Sequence, residues 1–256
     1  MALRKLLAPL LPKPGTPAEL PLDEAKHALQ VLRLESGDPV EVIDGHGNAV
    51  HARLERSGKR VFVEYIGPVI VVNPSAQVLP ITLEQAILKG DAMSWVIEKA
   101  VELGVQNFVP VVTARTVVQI DKKGPEALVA RWEKIANQSL KQCGRLRKMK
   151  ICAPKLLQDL ESGVDRFWCD ESTQNESACF LWNEIDKIPL SLSQEIHLLI
   201  GPEGGWEPTE RQILMSYPDF GNRRLRQISL GPLVLRAETA TLFSISLLTG
   251  FLRKLA

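Results

Sequence analysis

Leu199-Ile-Gly-Pro-Glu-Gly-Gly-Trp206 and Leu230-Gly-Pro-Leu-Val-Leu-Arg-Ala-Glu-Thr-Ala240 decide how this chain is read. Each follows a short apolar run that reads as a buried strand, Ile196-His-Leu-Leu-Ile200 before the first and Leu225-Arg-Gln-Ile-Ser-Leu230 before the second. Each also opens toward a helix. In an open α/β sheet, ligands bind beyond the carboxyl ends of the strands, where successive loops converge. Glycine at such a place lets the backbone approach a ligand and present its N–H and C=O groups. The first loop is a poor phosphate cradle, since it has neither GxxxxGK[ST] nor GxGxxG, and Glu203 would repel an anion. A carboxylate suits a ligand with positive charge, such as the sulfonium and amino groups of S-adenosylmethionine. Taken singly, either loop also reads as a plain strand-to-helix turn.

Upstream, strands alternate with helices, the mark of a mostly parallel sheet. Val78-Leu-Pro-Ile-Thr-Leu reads as a strand, followed by a helix capped by Asp91, with Met93, Val96, Ile97, Ala100 and Leu103 on one face and Gly104 closing it. Phe108-Val-Pro-Val-Val is the next strand; Pro125 opens a helix that runs to Gln142 and stops at Gly144. Arg166-Phe-Trp-Cys-Asp is a further strand, and a last helix runs from Ala237 to Leu252. The part before residue 72 has another rhythm. Val40–Asp44, Val50–Leu54 and Arg60–Ile66 are strands of period two, with Asp44-Gly-His-Gly-Asn as a turn and a short helix near Glu24–Leu34. These predict a small β-barrel over 1–72 and an α/β domain over 73–256, divided near Val72-Asn-Pro-Ser-Ala-Gln.

Composition narrows the functional classes. The chain has 256 residues, 45% hydrophobic and 24% charged, with a net charge of +1. That is ordinary globular usage, compatible with a local basic stripe but not a uniformly basic surface. No apolar run reaches the roughly 18 residues of a membrane span. The start, Met1 to Pro12, carries a short apolar stretch broken by Pro9 and Pro12, without a clear cleavage site, which reads against a secretory leader. Cys143, Cys152, Cys169 and Cys179 show no metal or disulfide spacing, and His27, His46, His51 and His197 are scattered. Reduced thiols, no metal and a cytoplasmic location are expected.

The two loops together closely resemble the paired signatures of the RsmE family of SPOUT methyltransferases. The resemblance extends to Lys89-Gly-Asp-Ala-Met-Ser-Trp-Val-Ile-Glu-Lys-Ala-Val-Glu-Leu-Gly-Val, to Arg131-Trp-Glu-Lys-Ile-Ala and to Gln142-Cys-Gly-Arg145. In the N-terminal part it takes in His27, Val31-Leu-Arg-Leu, Gly37-Asp38 and Asp44-Gly-His-Gly47. It implies a PUA-like β-barrel followed by a SPOUT domain whose mostly parallel sheet is knotted at its C-terminal end, and a homodimer. It also implies transfer of methyl from S-adenosylmethionine to N3 of a uridine in small-subunit ribosomal RNA. By the same resemblance the cofactor lies against Leu199, Ile200, Gly201, Pro202, Glu203, Gly204, Gly205, Ile228, Leu230, Gly231, Leu233 and Leu235.

Removing the N3 proton of a uridine leaves an anion on the base, which a fixed cation stabilises. Arg236 is the candidate, with Glu203 as a weaker base and a better holder of the donor; the alternative is that Arg236 pairs with Glu238 or Glu203 and braces the loop. For RNA, the stretch Lys141, Arg145, Arg147, Lys148, Lys150 stands out, extended by Arg115, Arg33, Arg53, Lys59 and Arg60; such a run is otherwise a solvated face. Trp206 offers a stacking face or belongs to the core. The chain departs from the family pattern at Glu207, in place of a capping Ser or Thr, at Leu233, in place of a basic residue, at Ala237 and at Lys141. Two other readings stay open: methylation of another RNA by a relative of the same superfamily, and an RNA-binding ribosome-assembly protein that has lost catalysis.

Overall fold

The computed structural model describes residues 3–58, 60–71, 79–116, 124–173, 180–185, 195–217 and 225–254. Lys59, Cys179 and the expected domain boundary at 72–77 lie outside the described residues. The chain divides into two compact units, 1–77 with 137–148 and 78–136 with 149–256. Residues 137–148, within the expected second domain, thus belong to the first unit.

In the first unit, strands β1 (Arg4–Leu7), β2 (Ala18–Glu19), β3 (Pro39–Ile43), β4 (Asn48–Ser57) and β5 (Arg60–Val71) form a five-stranded sheet of order β1-β3-β4-β5-β2. Alternation in β4 and β5 sends Val50, Ala52, Leu54, Val61 and Val63 into one core with Leu6, Leu20, Val40 and Val42. At the N-terminal end β1 pairs in parallel with β3, and Leu6 and Ala8 are fully buried. Helix α1 (Leu22–Lys26) continues as a π-helical turn over His27–Val31, where one continuous short helix was expected.

The second unit is built on parallel strands β6 (Leu79–Ala86), β7 (Val105–Val112), β8 (Lys150–Ile151), β9 (Lys155–Leu156), β10 (Asp165–Cys169), β11 (Ile196–Ile200) and β12 (Leu225–Ile228). Their order is β12-β10-β11-β6-β7-β8, with β9 paired to β7. Helices α2 (Asp91–Glu102), α3 (Gly124–Cys143, of which 137–143 belong to the first unit), α4 (Leu181–Ile185), α5 (Pro208–Met215) and α6 (Ala237–Arg253) accompany them. Asp91 is the first helical residue and not the cap, because Gly90, at φ +56°, occupies that position. Parallel strands are covered on both faces, which is why β10 and β11 read as unbroken buried runs. On one face Val109, Val111, Trp168, Leu199, Trp206 and Leu214 pack together. On the other, α6 packs on β6, β11 and α2, and Thr241 Oγ1 donates to buried Gln85 Oε1 at 2.5 Å.

A charged group lies inside this sheet. Glu84 of β6, 1% exposed, accepts from Arg166 of β10 at 2.6 and 2.8 Å and from His197 Nδ1 of β11 at 2.8 Å. Burial pushes the Glu84 carboxyl up, but the hydrogen bonds from His197 and Arg166, with the Arg166 charge, outweigh it and hold the group below the ordinary glutamate value. No described helix is long and apolar enough to cross a membrane.

Candidate functional site

Three neighbouring parallel strands, β12, β10 and β11, end side by side, and the chain leaving each bounds a cavity of about 230 Å³. Ile200 to Trp206 after β11 form one wall. Ile228 to Gly231 with Leu233 to Leu235 after β12 form a second, and Ala237 and Ala240 of α6 complete it. Cys169 at the end of β10, with Asp170 and Glu171 beyond it, forms a third wall, which sequence reasoning did not find. Acidic residues after a strand look like any polar turn, so only the adjacency of β10 to β11 and β12 exposes their role.

Glycines in the first wall are required by neighbours. A Cβ on Gly201 would stand 2.9 Å from the Trp206 ring, and one on Gly204 2.9 Å from the Arg115 side chain. At Gly205, φ is +74° and a Cβ would meet Glu171 Oε1 at 2.5 Å. Trp206 is core: it is 2% exposed, donates its Nε1 hydrogen to the Cys169 carbonyl at 2.9 Å and stands edge-on to Trp168 with ring centroids 6.2 Å apart. The loop is therefore nailed to the sheet by an indole. The Cys169 thiol is pushed up to about 12 by burial, so it is an inert lining group.

Polar braces fix the same wall from outside. Arg115 donates to the Gly204 carbonyl and pairs with Glu207 at 2.6 Å. Glu207, in the cap position before α5, has its N–H held by Glu210 at 3.0 Å, and Glu210 also accepts the Ala114 N–H at 2.8 Å. The departure from Ser or Thr at 207 thus serves as an anchor for Arg115. Arg211 of α5 reaches Asp170 at 3.0 Å, Glu171 at 2.6 Å and the Trp206 carbonyl at 2.7 Å. For the Asp170 carboxyl, burial acts upward, and the hydrogen bonds from Arg211 and Ser172 bring it below its ordinary value.

Of the cofactor residues expected from sequence, Ile200 to Gly205, Ile228, Leu230, Gly231, Leu233 and Leu235 line the cavity. Leu199 does not; it is fully buried in the core beside Trp168. Ser229, Val234, Ala237 and Ala240 also line the cavity without having been expected. Glu203 is at the exposed rim and accepts the Lys89 N–H at 3.1 Å. Arg236 is the residue before α6, between two lining residues but not itself in the wall. It is exposed and pairs with neither Glu238 nor Glu203.

The expected RNA residues separate into groups. Lys141 is spent on Glu24 at 2.8 Å, with its side chain 10% exposed. Arg145 is 4% exposed, donates to the Arg147 carbonyl at 2.5 Å, and burial lowers its guanidinium to about 10. Arg115 is a brace. Arg33, at φ +55°, and Lys148 are exposed, and Arg147 is half-buried. The glycine turn after β3 explains this placement. The Gly47 N–H donates to Leu146 and the Lys148 N–H to Gly45, while a Cβ on Gly45 would stand 2.8 Å from the Lys148 side chain and one on Gly47 3.0 Å from Arg147. The turn is bare so that two basic stems can lie across it.

Comparison with known proteins agrees with these features. A family model described as the RNA methyltransferase domain matches residues 75–249, and one described as the RNA methyltransferase PUA domain matches 20–64. The ribosomal RNA small subunit methyltransferase E of Bacillus subtilis is 27% identical over 88% of this chain and 86% of its own. That of Aquifex aeolicus is 28% identical over 89% and 92%. Among solved structures, a methyltransferase of Legionella pneumophila in complex with the cofactor S-adenosylmethionine superposes with TM-score 0.83 at 29% identity, over 98% of both chains. The ribosomal RNA small subunit methyltransferase E of Neisseria gonorrhoeae bound to S-adenosylmethionine gives 0.79 at 26%, again over 98% of both. The chain belongs to the RsmE family of RNA methyltransferases, which joins a PUA domain to a SPOUT methyltransferase domain.

Proposed function

We propose that this protein transfers a methyl group from S-adenosylmethionine to N3 of a uridine in small-subunit ribosomal RNA. The observation that carries the reading is the cavity at the ends of β10, β11 and β12, with an apolar floor, glycine-edged backbone and carboxylates at its rim. Such a wall suits a ligand that is at once a flat base, a sugar and a cation. It does not suit a nucleoside triphosphate, whose charge Glu203 and Glu171 would oppose. S-adenosylmethionine supplies an electrophilic methyl on a sulfonium. The chain's own part is to hold that methyl in line with the base and exclude water, through the wall fixed by Trp206, Arg115 and Arg211. Arg236, a permanent cation beside the wall, stabilises the uracil anion left once the N3 proton has passed to solvent water, and the sulfonium leaves as neutral S-adenosylhomocysteine when its methyl is transferred. Glu203 faces the positive end of the donor.

The same reading includes a homodimer working in the cytoplasm and a C-terminal knot. Leu233 and Val234, which line the cavity yet are 73% and 68% accessible, support coverage of its rim by a second copy. Leucine at 233, where the family pattern has a basic residue, then serves contact between copies. On the RNA side, Arg147 and Lys148 are the expected contacts. Replacing both with alanine should weaken ribosomal RNA binding and lower the slope of log affinity against log salt by about 0.7–0.9 per lost phosphate contact. Lys141→Met should leave the slope unchanged and lower the melting temperature, because its ammonium is already committed to Glu24. A filter-binding salt titration separates the two.

The direct test is incubation with labelled donor and small ribosomal subunits lacking the modification, followed by mass identification of the nucleoside. N3-methyluridine is expected. A different methylated nucleoside would refute the assigned position. Donor binding without transfer would favour another RNA, and neither binding nor transfer would favour an assembly factor without catalysis.

A further inference from the structure

We propose that Glu171 binds the ribose hydroxyls of the methyl donor, so that the third wall of the cavity selects a ribonucleoside. The inference rests on the reading of this cavity as the donor site. Glu171 opens the 3₁₀ turn Glu171–Thr173, one residue beyond β10, and lines the cavity with its Oε1 against Gly205. Its Oε1 accepts from Arg211 at 2.6 Å, and among the described residues Oε2 takes no hydrogen bond. A carboxylate has capacity for about four hydrogen bonds, so most of this group's capacity remains open at the cavity wall.

Its neighbour Asp170 is in the opposite condition. Its side chain is fully buried, and its oxygens take Arg211 Nε and Nη2, the Ser172 N–H and Gln227 Nε2. Asp170 therefore positions Arg211, and Arg211 positions Glu171. The open side chain is Glu171 alone of the pair.

The choice of ligand group follows from charge. The Arg211 guanidinium, in contact with Glu171, opposes a second cation at the same carboxylate, so an ammonium or sulfonium is disfavoured there. A neutral vicinal diol is not opposed, and it gives a carboxylate two O–H donors at once. Glu203 differs: it has no paired cation among the described residues and takes only the Lys89 N–H, which leaves it for the positive end of the donor. Thus two carboxylates on one rim are given two tasks by their neighbours. Gly205 keeps the arrangement open, because any Cβ there would collide with Glu171 Oε1.

The test uses the full-length protein, S-adenosylhomocysteine and its 2′,3′-dideoxy analogue, titrated calorimetrically into wild type and Glu171→Ala. Loss of hydrogen bonds to a charged group predicts about a ten- to hundredfold weaker affinity of Glu171→Ala for S-adenosylhomocysteine. The dideoxy analogue should bind both proteins equally, and both should melt at the same temperature. Asp170→Asn, in contrast, should weaken both ligands alike, since it loosens the whole wall. Equal weakening of both ligands by Glu171→Ala, or none, would overturn the assignment and leave the donor site standing. Wild type that binds neither ligand would overturn the donor site and the assignment together.

Discussion

Replacing Arg236 with alanine is expected to slow methyl transfer by about 10²- to 10³-fold, the usual cost of losing one group that meets developing charge. Donor affinity should stay unchanged, because Arg236 is absent from the cavity wall that Leu235 and Ala237 help to form. Its position is electrostatically poor. It stands at the N-terminus of α6, where the helix dipole favours an anion, and no described carboxylate pairs with it. A cation kept in such a place without structural recompense is what a functional role requires, and Arg236→Ala should melt no lower than wild type. Arg236→Lys retains charge without the planar fork and should recover only part of the rate. Single-turnover rates at saturating donor, alongside calorimetric donor affinity, read both effects. Full turnover in Arg236→Ala would remove the residue from the mechanism.

The largest effect on stability is expected inside the sheet. Glu84→Ala would leave the Arg166 guanidinium, 2% exposed, without its carboxylate, and breaking a buried pair in this way costs about 3–5 kcal/mol. Replacing the group as a whole by apolar residues of similar volume, Glu84→Leu with Arg166→Met and His197→Leu, should recover much of that loss, because the burial cost of the charges disappears with them. The pH dependence has a definite sign. The Glu84 carboxyl titrates lower in the folded protein than in the unfolded chain, so its contribution is complete above the ordinary glutamate value. The contribution is lost as pH falls through the folded-state value. Denaturant melts of wild type should therefore lose stability in the acid range more steeply than those of the triple replacement. Equal acid slopes, or a mild Glu84→Ala, would show that this group is not what ties β6, β10 and β11 together.

Much of the fold was legible because strands and helices here obey simple periods. Ile196–Ile200 and the start of α6 at Ala237 coincide with the expected elements, and the glycine loops were visible as strand-end backbone. What escaped needed partners far along the chain. No periodicity marks Arg4–Leu7 as a strand, because only pairing with Pro39–Ile43 makes it one. Glu84, Arg166 and His197 are ordinary residues of three separate segments until the order β10-β11-β6 brings them into contact. The basic run was read as one surface, yet Lys141 and Arg145 are turned inward while Arg147 and Lys148 lie across Gly45 and Gly47. A count of charges cannot distinguish a buried guanidinium from an exposed one. Nor could it show that Arg115 is a brace on Gly204 rather than a free cation.

The most direct test of the central claim, that the cavity between the β11 and β12 loops holds the methyl donor, is a crystal structure with S-adenosylhomocysteine. The account predicts ligand density bounded by Ile200–Trp206, Ile228–Leu235 and the Cys169–Glu171 wall. Density elsewhere on the chain, or an empty cavity at saturating ligand, would contradict it.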